Sequence, residues 1–203
     1  MKSALIVLSL VILCLAVVYG VPQYRLNREN ARRAFNAANS LPLVLDAKTQ
    51  AILDGADRVE TFRLVDFHEE ENYTELERSA AFNSHEQPLD DHQVLRTGPP
   101  QGKAFAAALR EAVSEAPAFI GKDGKGSGTP SCFDPGVGFR VWNGQAHVDL
   151  CVCFYCTAIE IDTKDPTRRF KQSLMANLGL SRPAFLALSK EAFPQDARLA
   201  ALN

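Results

Sequence analysis

Four of the five cysteines in this chain lie in one stretch, as Cys132, Cys151, Cys153 and Cys156. Thiolates bind Zn²⁺ tetrahedrally, and the C-x-x-C spacing of Cys153 and Cys156 is the usual chelating half of such a site. The same thiols can also form a disulfide, exchange electrons, or pack as small apolar side chains. We take these four cysteines as the candidate site, with zinc as the candidate metal and a disulfide as the alternative.

The stretch that carries these cysteines predicts a β-hairpin over residues 137–154. Two runs of alternating apolar and polar residues flank Asn143-Gly144, a dipeptide that favours a type I′ turn because both central residues need positive φ. A turn at these two residues places Arg140 opposite His147. It also gives the hairpin one apolar face, formed by Val137, Phe139, Val141, Ala146, Val148, Leu150, Val152 and Phe154.

The same register folds the first cysteine back onto the second strand. It places Cys132 diagonal to Cys153, at about 7–8 Å between Cα atoms. Cys151, by contrast, has only Gly136 opposite. We therefore expect Cys132, Cys153 and Cys156 to act together, and Cys151 to be a bystander.

The C-x-x-C segment limits the alternatives. Residues i and i+3 of a strand are about 10 Å apart, so Cys153 and Cys156 can form a disulfide only if the chain turns at Phe154-Tyr155. A strand also offers neither a helix start nor a cation to lower a thiol pKa, which disfavours redox catalysis. Thr157 stands where c-type haem attachment requires a histidine.

The rest of the chain predicts an α+β fold, with a small antiparallel sheet that is covered by helices and preceded by an N-terminal hydrophobic helix. The hairpin 137–154 lies at the centre of this sheet. Apolar periodicity and capping residues place the other elements. These are helices over residues 46–56, 102–116 and 181–193, with Ser181 as the cap of the last, and strands over residues 59–67 and 93–98.

The N-terminus predicts attachment to a membrane or export across one. Residues 1–22 contain the uninterrupted apolar run Ala4–Val18, which is typical of a single transmembrane anchor or of a cleaved signal peptide. Arginines follow the run, and this charge bias favours a retained anchor. We expect a single-pass membrane protein whose sidedness is open, or a secreted or periplasmic one if cleavage follows Gly20.

Composition separates the remaining segments and excludes one class of partner. Residues 23–45 form a polar stalk, and residues 46–203 form the α+β domain with an acidic loop at 68–92, whose histidines are expected to be solvated. The formal net charge of −2 provides no basic field for phosphates, so we expect no nucleic-acid partner. A protein or small-molecule partner is left open.

The cysteine segment resembles a family of uncharacterised bacterial proteins. The shared pattern is C-F-x-P-x-x-G-x-R, an NG-type turn, and V-D-L-x-x-C-F-x-C. The resemblance covers about residues 57–193 and implies a shared fold unit and site, without an activity. The matching positions are Cys132, Pro135, Gly138, Arg140, Asp149, Cys153, Phe154 and Cys156, whereas Cys151 is extra.

No combination of nucleophile and base, no carboxylate pair and no phosphate-binding motif stands out in the sequence. We therefore expect a membrane-tethered accessory or binding domain with a structural cysteine cluster, rather than an enzyme. The alternative is a thiol redox or metal-dependent enzyme that uses the same cysteines.

Overall fold

The structure is a computed structural model that describes residues 43–65, 89, 92–117, 133–163 and 173–202. These residues belong to one compact unit, Ser40–Asn203. The predictions for the N-terminal apolar segment, for the stalk before residue 43 and for most of the acidic loop fall outside the described residues. Among the residues described, no helix is long and apolar enough to cross a membrane.

The described strands form one antiparallel sheet around the predicted hairpin. They are β1 Arg58–Leu64, β2 Val94–Thr97, β3 Gln101–Gly102, β4 Val137–Asn143, β5 Ala146–Cys153, β6 Ala158–Thr163 and β7 Ser173–Asn177. The order across the sheet is β2-β1-β4-β5-β6-β7, and β3 also pairs with β1. With helices packed on this sheet, the fold is α+β, as the sequence predicts.

Three of the four described helices agree with the sequence pattern, and the last and shortest was not predicted. In the described part of the chain they are α1 Ala47–Asp54, α2 Lys103–Ser114, α3 Arg182–Ala192 and α4 Ala197–Ala201. The Asp46 carboxylate caps α1 by accepting hydrogen bonds from the backbone N–H groups of Lys48 and Thr49. Ser181 is the N-cap residue of α3, as predicted, but its side chain makes no capping hydrogen bond. A 3₁₀ turn, Gly179–Ser181, precedes this helix, and the Ser181 hydroxyl donates to the Leu178 carbonyl instead.

The hairpin turn lies one position later than predicted. Asn143 pairs with Ala146, so Gly144 and Gln145 form the turn, and Gly144 has a φ of 59°. The reason lies in a tertiary contact, because the Asn143 side-chain amide donates to the Ala51 carbonyl of α1 at 3.1 Å. That contact holds Asn143 at the end of β4.

The predicted facing pairs are therefore wrong by two residues. Arg140 faces Asp149 and not His147, and its guanidinium forms two hydrogen bonds to that carboxylate, at 2.7 and 2.8 Å. Cys151 faces Gly138 and not Gly136. A two-residue shift leaves every side chain on its original face, so the predicted apolar face survives the change of register.

The sheet buries a core on each of its faces. The first face packs against the helices, and its centre is formed by the hairpin residues Val137, Phe139, Val141, Val148, Leu150 and Val152. A smaller apolar cluster on the second face contains Phe62, Leu64, Leu89 and Cys151. The second face also carries the Arg140–Asp149 ion pair, so it mixes apolar and charged side chains.

A buried charged network ties the C-terminus to the sheet. The Asp196 carboxylate accepts hydrogen bonds from Arg63 Nε at 3.0 Å and from Arg96 Nη2 at 2.6 Å. It also caps α4 by accepting from the backbone N–H groups of Arg198 and Leu199, both at 3.0 Å. Burial acts to raise the pKa of Asp196, but the Leu199 N–H and the two guanidinium groups outweigh it, so this pKa is lowered from 3.8.

Candidate metal centre

The chain turns at the C-x-x-C segment. Such a turn is the condition under which Cys153 and Cys156 could form a disulfide. Cys153 pairs with Ala158, and residues 154–157 form the loop between β5 and β6. Thr157 has a φ of 54°, a left-handed conformation that is uncommon for a non-glycine residue and lets the chain reverse after Cys156. The turn brings Cys156 back over Cys153.

Several hydrogen-bond donors converge on the sulfur of Cys153. The backbone N–H of Cys156 donates to it at 3.3 Å. The Cys156 thiol and the backbone N–H groups of Asp134 and Tyr155 donate to the same atom. The Cys156 thiol has the largest effect and, with the N–H groups, lowers the pKa of Cys153 to about 6 although burial opposes the shift. Cys153 is the last residue of β5, as expected, but the turn that follows it supplies donors that favour its thiolate.

The two thiols of this turn differ in their access to solvent. Cys153 is fully buried, at 0% relative exposure, whereas Cys156 is partly exposed. A reacting disulfide has to reach the sulfur of the attacking thiolate. The Cys153 sulfur, whose pKa is lowered, is enclosed by its own turn. It is therefore poorly placed for thiol–disulfide exchange with another protein.

Cys151 belongs to a different group of side chains. It pairs with Glu160 across β5 and β6. Its Sγ, a carboxylate oxygen of Glu160 and a ring nitrogen of His92 all lie within 4.8 Å of one another. Across β4 Cys151 still faces only a glycine, Gly138, but the expectation that it is a bystander left out its neighbours Glu160 on β6 and His92.

His92 reaches this group because the chain before it is anchored on the second face. Leu89 is buried there, and it packs over Gly138, where a side chain would collide with it. The backbone N–H of His92 donates to the Leu89 carbonyl at 2.9 Å, and the imidazole lies edge-on to the Phe133 ring. An imidazole from the acidic loop is thereby fixed above the sheet.

Cys153 and Cys156 of the turn were predicted as site residues from the sequence, whereas His92 and Glu160 of the second group were not. Cys132 lies outside the described residues, so its predicted position next to Cys153 stays a prediction. His92 was expected to be solvated, but its side chain is 20% exposed and lies 3.4 Å from Glu160. The alternation of apolar and acidic residues in Ile159–Asp162 was the available signal that Glu160 shares a sheet face with Cys151.

Comparison with protein-family models, with curated protein sequences and with solved structures gave no match for this chain. The resemblance of the cysteine segment to a bacterial family therefore stays a prediction.

Proposed function

We propose that this chain is a non-catalytic accessory or binding domain, tethered to a membrane by its N-terminal apolar segment, in which Cys132, Cys153 and Cys156 hold a structural zinc ion. The observation that carries the metal assignment is the turn at Cys153–Cys156, with its hydrogen bonds to sulfur.

The turn supports zinc because it prepares a thiolate in a chelating arrangement. The backbone N–H groups two and three residues after Cys153 both donate to its sulfur. A ligating thiolate carries negative charge, and hydrogen bonds from the surrounding protein orient it and stabilise that charge. Cys156 follows at the spacing with which C-x-x-C segments supply two of the four ligands of a zinc ion.

Cys132 is the third proposed ligand because it lies two residues before Asp134. The backbone N–H of Asp134 donates to the Cys153 sulfur. Cys132 precedes Asp134 by two residues, and two residues of chain span at most about 7 Å. This short separation makes Cys132 the candidate third ligand, in agreement with the resemblance, where these three cysteines match and Cys151 is extra.

Burial favours this structural role over the redox alternative. Thiol–disulfide exchange needs an accessible nucleophile, and the thiol whose pKa is lowered is the buried one. A metal ion that enters while the domain folds does not need later access, since binding a structural zinc is coupled to folding.

The experiment is zinc analysis of the purified full-length chain and of single Cys→Ser variants. We expect Cys132→Ser, Cys153→Ser and Cys156→Ser each to lose about one equivalent of zinc and to unfold at lower urea concentration. The matched control is Cys14→Ser, which removes a thiol that lies far from the cluster in sequence. Zinc content that is unchanged in Cys153→Ser would contradict the metal assignment.

The tether has a test of its own. The intact chain should remain in the membrane fraction after carbonate extraction, because an apolar segment of about 20 residues can span the ~30 Å hydrocarbon core. A carbonate-soluble protein whose first residue is Val21 would show instead that the segment is a cleaved signal peptide.

A further inference from the structure

We propose that His92, Cys151 and Glu160 form a second metal site, which binds Zn²⁺ through nitrogen, sulfur and oxygen ligands and leaves one coordination position open. This inference does not depend on the site at Cys153 and Cys156, because the two sites share no ligand.

The distances between the ligand atoms suit a tetrahedral ion. Zinc bonds of about 2.0–2.2 Å to nitrogen and oxygen place two such ligands about 3.3–3.5 Å apart. His92 Nε2 and Glu160 Oε2 are separated by 3.4 Å. The three ligand atoms of the group all lie within 4.8 Å of one another, so a shift of about 1 Å in the Cys151 or His92 side chain brings the sulfur to its ~2.3 Å bonding distance.

The backbone holds these three side chains before any ion binds. Cys151 and Glu160 are directly opposed on adjacent strands, so their side chains leave the same sheet face side by side. His92 is held from above by the buried Leu89 and by the Phe133 ring. A site built on two paired strands and an anchored segment loses little entropy when it binds a metal.

The chemical character of the group favours zinc over a hard cation. Ca²⁺ and Mg²⁺ take oxygen ligands almost exclusively, whereas imidazole and thiolate suit zinc. Binding requires Cys151 to lose its thiol proton to solvent and requires His92 to be neutral, so that its Nε2 lone pair faces the ion. The ion then replaces the His92–Glu160 contact, because both atoms coordinate it.

Three protein ligands leave the fourth position of a tetrahedral zinc for water or for an anionic ligand. Cys151 is 4% exposed and closes the inner side of the group. The side chains of His92 and Glu160 are 20% and 14% exposed, so the group reaches solvent on their side. The open coordination position would therefore face solvent on the side of His92 and Glu160.

The test is a Co²⁺ titration of the full-length chain that carries Cys153→Ser and Cys156→Ser, so that only the second site can bind. We expect visible absorption of tetrahedral Co²⁺ with a charge-transfer band from one thiolate. The band should disappear in Cys151→Ser. His92→Gln and Glu160→Gln should each weaken Co²⁺ binding by at least about tenfold. The matched control is Glu60→Gln, a carboxylate on the same sheet face that pairs with Arg58.

Zinc stoichiometry in the wild-type background keeps the test valid if the double variant does not fold. Glu160→Gln should lose about one equivalent there and keep the zinc bound by the first site. Unchanged stoichiometry and affinity in both His92→Gln and Glu160→Gln would overturn the proposal, and their contact would be an ion pair only. Failure of the first site has a different signature, since zinc would then be retained in Cys153→Ser.

Discussion

Two groups of ionisable side chains lie against the same sheet, and they differ in the chemistry of their members. In the network at Asp196, one carboxylate meets two guanidinium groups and two backbone N–H groups. In the group at Cys151, an imidazole, a thiol and a carboxylate converge, and only the imidazole can carry positive charge. The first network pairs a carboxylate with two cations of the protein itself, whereas the second brings together three groups that can each bind a metal ion.

This difference separates a structural from a ligand-binding role. A buried carboxylate that is matched by arginines makes the fold depend on the complete network, because removal of either side leaves an uncompensated charge. Electron-pair donors that face one another are stabilised by a metal ion, because each of them can bind it. The two groups should therefore respond in opposite ways to mutation and to added zinc.

The largest expected effect is the loss of the Asp196 carboxylate. Asp196→Ala leaves Arg63 buried without this partner and removes the cap of α4, so we expect a loss of about 3–5 kcal/mol in the free energy of unfolding, measured by urea denaturation. Zinc binding should not change. Asp54→Ala is the control, because its carboxylate pairs with Arg110 at 3.7 Å with both side chains about half exposed, and such pairs contribute about 0–1 kcal/mol. Equal losses in the two variants would contradict the importance of the network.

A moderate loss of stability is expected from Gly138→Ala, at the contact that positions Leu89 before His92. A methyl group at Gly138 collides with Leu89, and such overpacking typically costs about 1–3 kcal/mol. Gly138→Ala should also weaken zinc binding at the second site, because the displaced Leu89 carries His92 with it. Gly102→Ser is the control, since a Cβ atom added there meets no other atom within 4 Å. If Gly138→Ala lowers stability and leaves zinc affinity intact, Leu89 does not position His92.

The smallest expected effect is the pH dependence of the Asp196 network. The pKa of Asp196 in the folded protein lies below the value of 3.8 for an unperturbed group. The carboxylate therefore contributes its full stability above that value, and this contribution is lost as the pH falls through the lower pKa of the folded state. Thermal melts at decreasing acid pH should show wild-type stability converging on that of Asp196→Asn. Parallel profiles would mean that Asp196 does not titrate as described.

The sequence predicted the faces of the sheet more reliably than its facing pairs. Alternation along β4 and β5 assigns each side chain to a face, and a shift by two residues does not change that assignment. The exact turn depended on a contact between Asn143 and the backbone of α1, which no local pattern reveals. β6 carries a period-two pattern in Ile159–Asp162, from which a strand could have been predicted. Ser173–Asn177, the last strand, has no clear alternation.

The candidate site residues were likewise predicted only where a local pattern marks them. The C-x-x-C spacing identified Cys153 and Cys156, because it is a local signal. His92 lies far in sequence from Cys151 and Glu160, and its position depends on Leu89 packing over Gly138. That contact forms only after distant strands have paired, so periodicity and spacing along the chain could not predict it.

The strand order also bears on how the chain folds. β4, β5, β6 and β7 pair in sequence order, and the first two hairpins have short loops, so these contacts close at low entropic cost. β1 joins β4 only across the intervening residues 65–136, which is a slower step. We expect the Cys153–Cys156 turn and the Cys151–Glu160 pair to form early, and His92 to arrive late. A zinc ion present during refolding would therefore first be held by thiolates, before the mixed site is complete.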